Sequence, residues 1–185
     1  SALVMAGLRR VMRSCMEVHN DVAETMTVAN RAVCDDTGSE RFVTAFLGRL
    51  DVNTRELTFC SAGHPAYLLS ESGMTKTLEC ENFPLGLIHD RQLTAGEPVT
   101  LQPGDLLVFC TDGLNEARNS NDRLWGINAL LQVVHQNREK SSDEIIAAVY
   151  QAVHAHCDPN PVGDDMAIVV VKSNNGNCAA TSFLM

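Results

Sequence analysis

The sequence is short of basic residues. Its 185 residues carry 14 lysines and arginines against 23 aspartates and glutamates, a formal net charge of −9. A nucleic-acid-binding face needs clustered Lys and Arg to displace counterions from phosphates, so that class is excluded. Long apolar runs are also lacking. No stretch approaches the roughly 18 residues of a membrane helix. The opening Ser-Ala-Leu-Val-Met-Ala-Gly-Leu-Arg-Arg puts apolar before basic, the reverse of a secretory signal. The expectation is a cytoplasmic protein that engages no membrane. The seven cysteines, at 15, 34, 60, 80, 110, 157 and 178, form no Cys-x-x-Cys pair. Odd in number and mostly set in apolar runs, they read as small hydrophobes, not as a disulfide framework or a zinc site.

What is present is a globular pattern with 45% hydrophobic content, enough for one domain with a real core. Val4, Leu8, Val11, Met12 and Cys15 recur at helical spacing, with Arg9, Arg10 and Arg13 left to solvent. Asp21 stands three residues before Glu24, a capping-box-like start to a second helix through Val22, Met26, Ala29 and Val33. The middle of the chain is rich in short β-forming runs: RFVTAFLGRLD, ELTFCSAG, AYLLSE, EPVTL and DLLVFC. They read as an antiparallel meander, crossed by an irregular ENFPLGLIHD loop. Two helices follow, one through Ile127, Leu130, Leu131 and Val134, the other opened by a Ser141–Glu144 capping box. MAIVVVK reads as a buried strand, and residues 173–185 as a loose tail. Helices, strands, helices and a strand in segregated runs indicate an α+β fold with mainly antiparallel sheets.

Two acidic motifs stand out. Asp112 follows the apolar run Leu106–Cys110, and Asp164 and Asp165 directly precede the last strand. If those two strands are antiparallel neighbours, the acids share one sheet edge. Gly113 and Gly163 each remove a side chain beside an acid, leaving room for a cation or a phosphate. Mg²⁺ and Mn²⁺ take carboxylate oxygens, and a pair of such ions can activate a water toward phosphorus. On spacing alone the plainer reading is two turns, an Asx-type turn at Thr-Asp-Gly and a helix-to-strand turn at Gly-Asp-Asp.

Taken together, FVTAFLGRLD, ELTFCSAGHPAYLL, FPLGL, LQPGDLLVFCTDGLNEARN and GDDMAIVVV resemble the SpoIIE/RsbU-type branch of the metal-dependent PPM (protein phosphatase 2C-like) serine/threonine phosphatases. The resemblance covers residues 1–172 in the family's order. It implies a layered β-sandwich of mainly antiparallel strands flanked by helices, with a two-ion Mg²⁺ or Mn²⁺ centre. The implied activity is dephosphorylation of phosphoserine or phosphothreonine on a partner protein, which for bacterial members is often an anti-sigma-factor antagonist. By this match Asp112 and Asp164 are metal ligands, and Asp165 and Gly113 support the site. The family's last motif usually reads Gln-x-Asp-Asp with Thr two residues on; here Ala167 holds the Thr place. Trp125 stands where Phe is usual. The family's Asp-x-x-Gly-His-Gly motif, which supplies the bridging aspartate, is not among these residues. The chain therefore reads as a partial domain lacking its N-terminal strands, holding one ion or none and weak or inactive by itself. Uncovered sheet edges in such a piece would favour a homodimer or larger species.

Two other readings stand beside this one: a degenerate, non-catalytic module that binds a regulatory partner, and an unrelated metal-binding protein with oxygen ligands. His64, in Ala-Gly-His-Pro, reads as a structural residue of a strand turn. His154, His156 and Cys157 cannot converge on one ion, because helical neighbours i and i+2 point about 200° apart. Asp51 and Asp90 read as turn residues, and Glu116 as either a support to the site or an exposed helix-start residue.

Overall fold

The computed structural model describes residues 2–18, 21–38, 41–159, 163–174 and 181–184. Contacts divide the chain into two units. The first comprises Ser1–Pro65, Thr77–Leu101 and Asn175–Met185; the second comprises Ala66–Lys76 and Gln102–Asn174.

In the first unit, α1 (Ala2–Val18) packs on α2 (Val22–Thr37), which lies against β1 (Ala45–Asp51) and β2 (Glu56–Ala62). Leu8 and Met12 of α1 and Val22, Met26, Ala29 and Val33 of α2 are buried with Leu47, Cys60 and Leu85, while Arg9, Arg10 and Arg13 are exposed. The expected periodic face is thus the packed one. Asp21 caps α2 by accepting from the N–H groups of Ala23 and Glu24 at 2.7 and 3.2 Å. Gly38 ends the helix in the left-handed conformation.

The crossing loop is anchored by a buried amide. Asn30, 2% exposed, donates from Nδ2 to the carbonyls of Ile88 (2.8 Å) and His89 (3.2 Å). Its Oδ1 accepts from Gly86 N–H at 2.9 Å. Gly86 itself has φ +94, and a Cβ there would lie 2.6 Å from the Arg41 carbonyl oxygen, so both conformation and space require glycine. Asn30→Ala leaves the buried Gly86 N–H and two part-buried carbonyls without this partner, and the expected loss is about 1–3 kcal/mol of unfolding free energy in a urea titration.

In the second unit, α4 (Ile127–Gln136) and α5 (Ser142–Cys157) pack together, and α5 lies on the last long strand. Leu130, Leu131, Val134, Ile145, Val149 and Val153 share a core with Leu106, Val108, Ile168 and Val170. The capping box forms in both halves: Glu144 N–H donates to Ser141 Oγ, and Ser141 N–H donates to Glu144 Oε2.

The expected α+β class with antiparallel sheets is what the chain has, but the strands do not form one meander. One sheet has the order β5 (Val99–Thr100), β2, β1, β8 (Thr181–Leu184), the other β4 (Thr75–Leu78), β3 (Ala66–Leu69), β6 (Leu106–Cys110), β7 (Ile168–Lys172). The chain leaves the first sheet after β2 and enters the second at β3 (Ala66–Leu69), with Gly63 at φ +76 in the connection. After β4 (Thr75–Leu78) and the crossing loop, β5 (Val99–Thr100) returns to β2, and β6 (Leu106–Cys110) joins β3. Two further points differ from expectation. The strand β7 (Ile168–Lys172) is half-buried rather than buried throughout, because it alternates facing the core through Ile168 and Val170. In the segment expected to be a loose tail, Thr181–Leu184 forms β8 and pairs with β1 from Leu47↔Leu184 to Leu50↔Thr181. A short Thr-Ser-Phe-Leu run has little periodicity of its own; the free edge of β1 supplies its hydrogen bonds.

Candidate functional site at the β6–β7 strand ends

All of the acidic site residues singled out in the sequence lie in the second unit. Strand β6 carries five consecutive buried residues and pairs antiparallel with β7, from Leu106↔Lys172 to Cys110↔Ile168. This register puts the end of β6 beside the start of β7. Thr111-Asp112-Gly113 and Gly163-Asp164-Asp165 therefore meet at one sheet edge. Asp112 does not simply end the strand. It opens a four-residue helix, α3 (Asp112–Asn115), and its carbonyl accepts from Glu116 N–H at 2.8 Å.

The two segments are tied by Thr111 and Gly113. Thr111 N–H donates to the Ala167 carbonyl at 3.0 Å, and Ala167 N–H donates to Thr111 Oγ1 at 2.9 Å. The same hydroxyl lies 3.4 Å from the Asp165 carbonyl oxygen. Gly113 is buried against the Asp164-Asp165 backbone: a Cβ there would stand 2.3 Å from the Asp165 carbonyl oxygen. Gly163 has no such role, since a Cβ there meets nothing within 4 Å. Of the two glycines only Gly113 sits at a backbone–backbone contact, while Gly163 borders the cleft with open space beside it.

The carboxylates of Asp112, Asp164 and Asp165 are on exposed residues. Asp164 Oδ1 accepts from Asp165 N–H at 2.8 Å, which orients its side chain beside the strand. A cleft of about 350 Å³ is lined by Gly113, Glu116, Arg118, Asn119, Asp122 and Asp164, among others. Arg118 Nη1 is held by the Asp122 carbonyl and carboxylate, each at 3.0 Å. Among the described residues, no group of three or more His, Cys, Asp or Glu side chains is placed to hold a metal ion. Arg118, Asn119 and Asp122 were not singled out in the sequence. Their only signal was position, within eleven residues of Asp112, and it took the folded turn to bring them to the cleft.

The other candidates lie elsewhere or play structural parts. Asp51 caps a turn through Asn53 and Thr54 N–H. His64 accepts a hydrogen bond at its backbone carbonyl from Ser61 Oγ. Asp90 contacts His89 Nδ1 at 2.9 Å, and Asp35 contacts His89 Nε2 at 3.1 Å. These carboxylates raise the His89 pKa, Asp90 first. His156 Nε2 contacts the Arg123 carbonyl at 2.9 Å, and Cys157 is buried in the core.

Thr111→Val keeps the side-chain shape but removes the acceptor for Ala167 N–H. A stability loss of about 0.5–1.5 kcal/mol is expected. If Asp164 serves an ion, affinity for Mn²⁺ should fall by about 10–100-fold as well, measured by calorimetric titration.

Solved structures share this architecture. The SiaA-PP2C domain of Pseudomonas aeruginosa superposes with a TM-score of 0.80 at 20% identity, over 94% of this chain and 70% of that one. The PP2C phosphatase domain of the cell fate determinant SpoIIE from Bacillus subtilis gives 0.74 at 20% identity, over 92% and 49%. The fold is that of a PP2C-like phosphatase domain. Among curated relatives, the phosphoserine phosphatase RsbU of Bacillus subtilis is 25% identical over 174 residues, 93% of this chain and 51% of RsbU. Protein IcfG of Synechocystis is 26% identical over 134 residues, 72% of this chain and 21% of that protein. The chain thus spans about a fifth to a half of the curated relatives it matches. The stage II sporulation protein E (SpoIIE) family matches residues 1–174, and the chain belongs to that family, in its SpoIIE/RsbU-type branch. No helix among the described residues is long and apolar enough to cross a membrane.

Proposed function

We propose that this chain is the C-terminal part of a Mg²⁺- or Mn²⁺-dependent phosphoprotein phosphatase domain acting on phosphoserine or phosphothreonine of a regulatory partner. The partner class that fits best is an anti-sigma-factor antagonist. The observation that carries this reading is the β6–β7 register, which sets Asp112 and Asp164 at one strand end beside an open cleft. The donors there are carboxylates, the hard oxygen ligands these cations take. Asp112 and Asp164 would hold the ion, with water completing its shell, and Asp165 would support Asp164 through the backbone. Bound in pairs, such ions supply an acidified water and neutralise charge on the phosphoryl group. Gly113 keeps the two acidic segments in contact, and Arg118, paired with Asp122, is the basic side chain of the cleft nearest to hand for a phosphate oxygen. RsbU, a relative of this chain, is by name a phosphoserine phosphatase.

One observation favours a second reading, a non-catalytic partner-binding module: three or more ligand side chains do not converge among the described residues. The same feature supports weak turnover by residues 1–185 alone, since a two-ion centre needs more carboxylates than Asp112 and Asp164 provide. The test uses the full-length protein, millimolar Mn²⁺ and a phosphorylated anti-sigma-factor antagonist. Release of phosphate that EDTA stops is expected; binding of the phosphoprotein without release would sink the enzymatic reading. The same assay on residues 1–185, beside light scattering, measures the weaker turnover and the self-association proposed for this stretch.

A further inference from the structure

We infer that Cys60 and Cys80 form a peroxide-responsive dithiol, a reversible oxidation site within the first unit that is independent of the acidic cleft. The two residues are twenty apart in sequence and belong to different segments: Cys60 lies in the middle of β2 and Cys80 follows β4. The fold brings their sulfurs to one shared set of partners. Ser61 N–H donates to Cys80 Sγ at 3.3 Å. Asn82 Nδ2 reaches Cys60 Sγ at 3.5 Å and the Ser61 carbonyl at 2.9 Å. The Cys60 thiol donates to the Thr94 carbonyl at 3.3 Å, and Asn82 Nδ2 donates to the same carbonyl at 2.9 Å.

Their environments are unequal in a way that assigns roles. Cys60 is fully buried, whereas Cys80 is half-exposed. The Cys80 sulfur is held below the ordinary thiol range, first by the neighbouring Cys60 and further by Ser61 N–H, with burial opposing. The neighbouring Cys80 and then burial push Cys60 up. Of the charged groups near the pair, Glu79 opposes the Cys80 thiolate and Asp21 opposes a Cys60 thiolate. Cys80 is thus the reactive partner and Cys60 the one that resolves it. Among the described residues the other cysteines lack this arrangement: Cys110, for example, is pushed up to about 11 by burial and then by Asp112.

The chemistry balances with hydrogen peroxide as oxidant. The Cys80 thiolate attacks one peroxide oxygen, the O–O bond breaks, and hydroxide leaves. This gives a Cys80 sulfenic acid. Cys60 then attacks the Cys80 sulfur, the S–O bond breaks, and the departing hydroxide takes the Cys60 proton as water. Both thiols together lose two electrons, and one peroxide becomes two waters. The disulfide would tie β2 to the crossing segment that Asn30 anchors. A thiol reductant reverses it, as expected of a regulatory bond in a reducing compartment.

The test treats the reduced chain with stoichiometric hydrogen peroxide, alkylates it with N-ethylmaleimide after unfolding, and maps the peptides by mass spectrometry. The alkylated thiols should fall by two from seven. The missing pair should appear as one crosslinked peptide joining Cys60 and Cys80, and dithiothreitol should restore both. Before oxidation, iodoacetamide should label Cys80 fastest, with a midpoint pH below that of an ordinary thiol. Cys60→Ser should leave Cys80 as a sulfenic acid trapped by dimedone and raise that midpoint. Cys80→Ser should protect Cys60 from oxidation. A crosslink between other cysteines, or oxidation of Cys80 to the sulfonic acid without any crosslink in the wild-type chain, overturns the proposal; neither result depends on the variants folding.

Discussion

Asp112→Asn in the full-length protein should lower Mn²⁺-dependent phosphate release by about 100-fold or more while leaving the melting temperature within a few degrees. Substitutions in the shell around a metal ligand cost about 10–100-fold, and removing the charge of Asp112, the ligand proposed above, should cost at least the upper end. Folding is spared because Asp112 is exposed and its structural contribution is a backbone carbonyl that accepts from Glu116. Asparagine keeps that carbonyl and the side-chain shape. Asp164→Asn should behave alike, with one addition: its Oδ1 orients Asp165 N–H, a bond that the asparagine amide oxygen can still accept. Asp165→Asn should cost less than either. Metal affinity is read by Mn²⁺ titration beside the assay. Wild-type turnover by the Asp112 variant at limiting Mn²⁺ would place the ion elsewhere.

Gly113→Ala should be the most damaging single methyl at the site. Its Cβ would fall 2.3 Å from the Asp165 carbonyl oxygen and 3.0 Å from the Asp165 carbonyl carbon. Both are backbone atoms, so no rotamer change relieves the overlap, and the β6–β7 strand ends must separate. Overpacking of this kind costs about 1–3 kcal/mol. The displacement also moves Asp164 and Asp165, so phosphatase activity should fall further than stability alone explains. Gly163→Ala is the control. With nothing within 4 Å of its added Cβ, it should change the melting temperature little. Equal effects from the two substitutions, measured by thermal melts and initial rates, would remove Gly113 from the architecture of the site.

Much of the fold was legible because the helices bury one face each. The spacing of Leu8 and Met12, of Met26, Ala29 and Val33, and of Ile145, Val149 and Val153 marked faces that are in fact buried. The Ser141–Glu144 capping box is a local motif, and it formed as read. Strand pairing was less legible. A β-run states that it will pair and which side it buries, but not with which partner, since register and neighbours are set by long-range contacts. Hence β2 and β3, adjacent in sequence, entered different sheets, and β8 found the edge of β1.

For the site, the sequence by itself determined the residue types: carboxylates after one apolar strand and before another, and a glycine beside the first. Local chemistry is written in residue order, so Asp112, Gly113, Asp164 and Asp165 could be named without coordinates. The tertiary structure decided what those residues touch. It made Gly113 a contact with the Asp165 backbone and left Gly163 in open space, though the two look equivalent in sequence. It placed Thr111 as the clip on Ala167, and it gathered Arg118, Asn119 and Asp122 around the cleft. It also brought two cysteines twenty residues apart, which read as separate small hydrophobes, into one network through Ser61 and Asn82. The physical reason is common to all of these. Proximity between segments distant in sequence arises only when the chain closes loops to bury its apolar faces, and no local pattern carries that information.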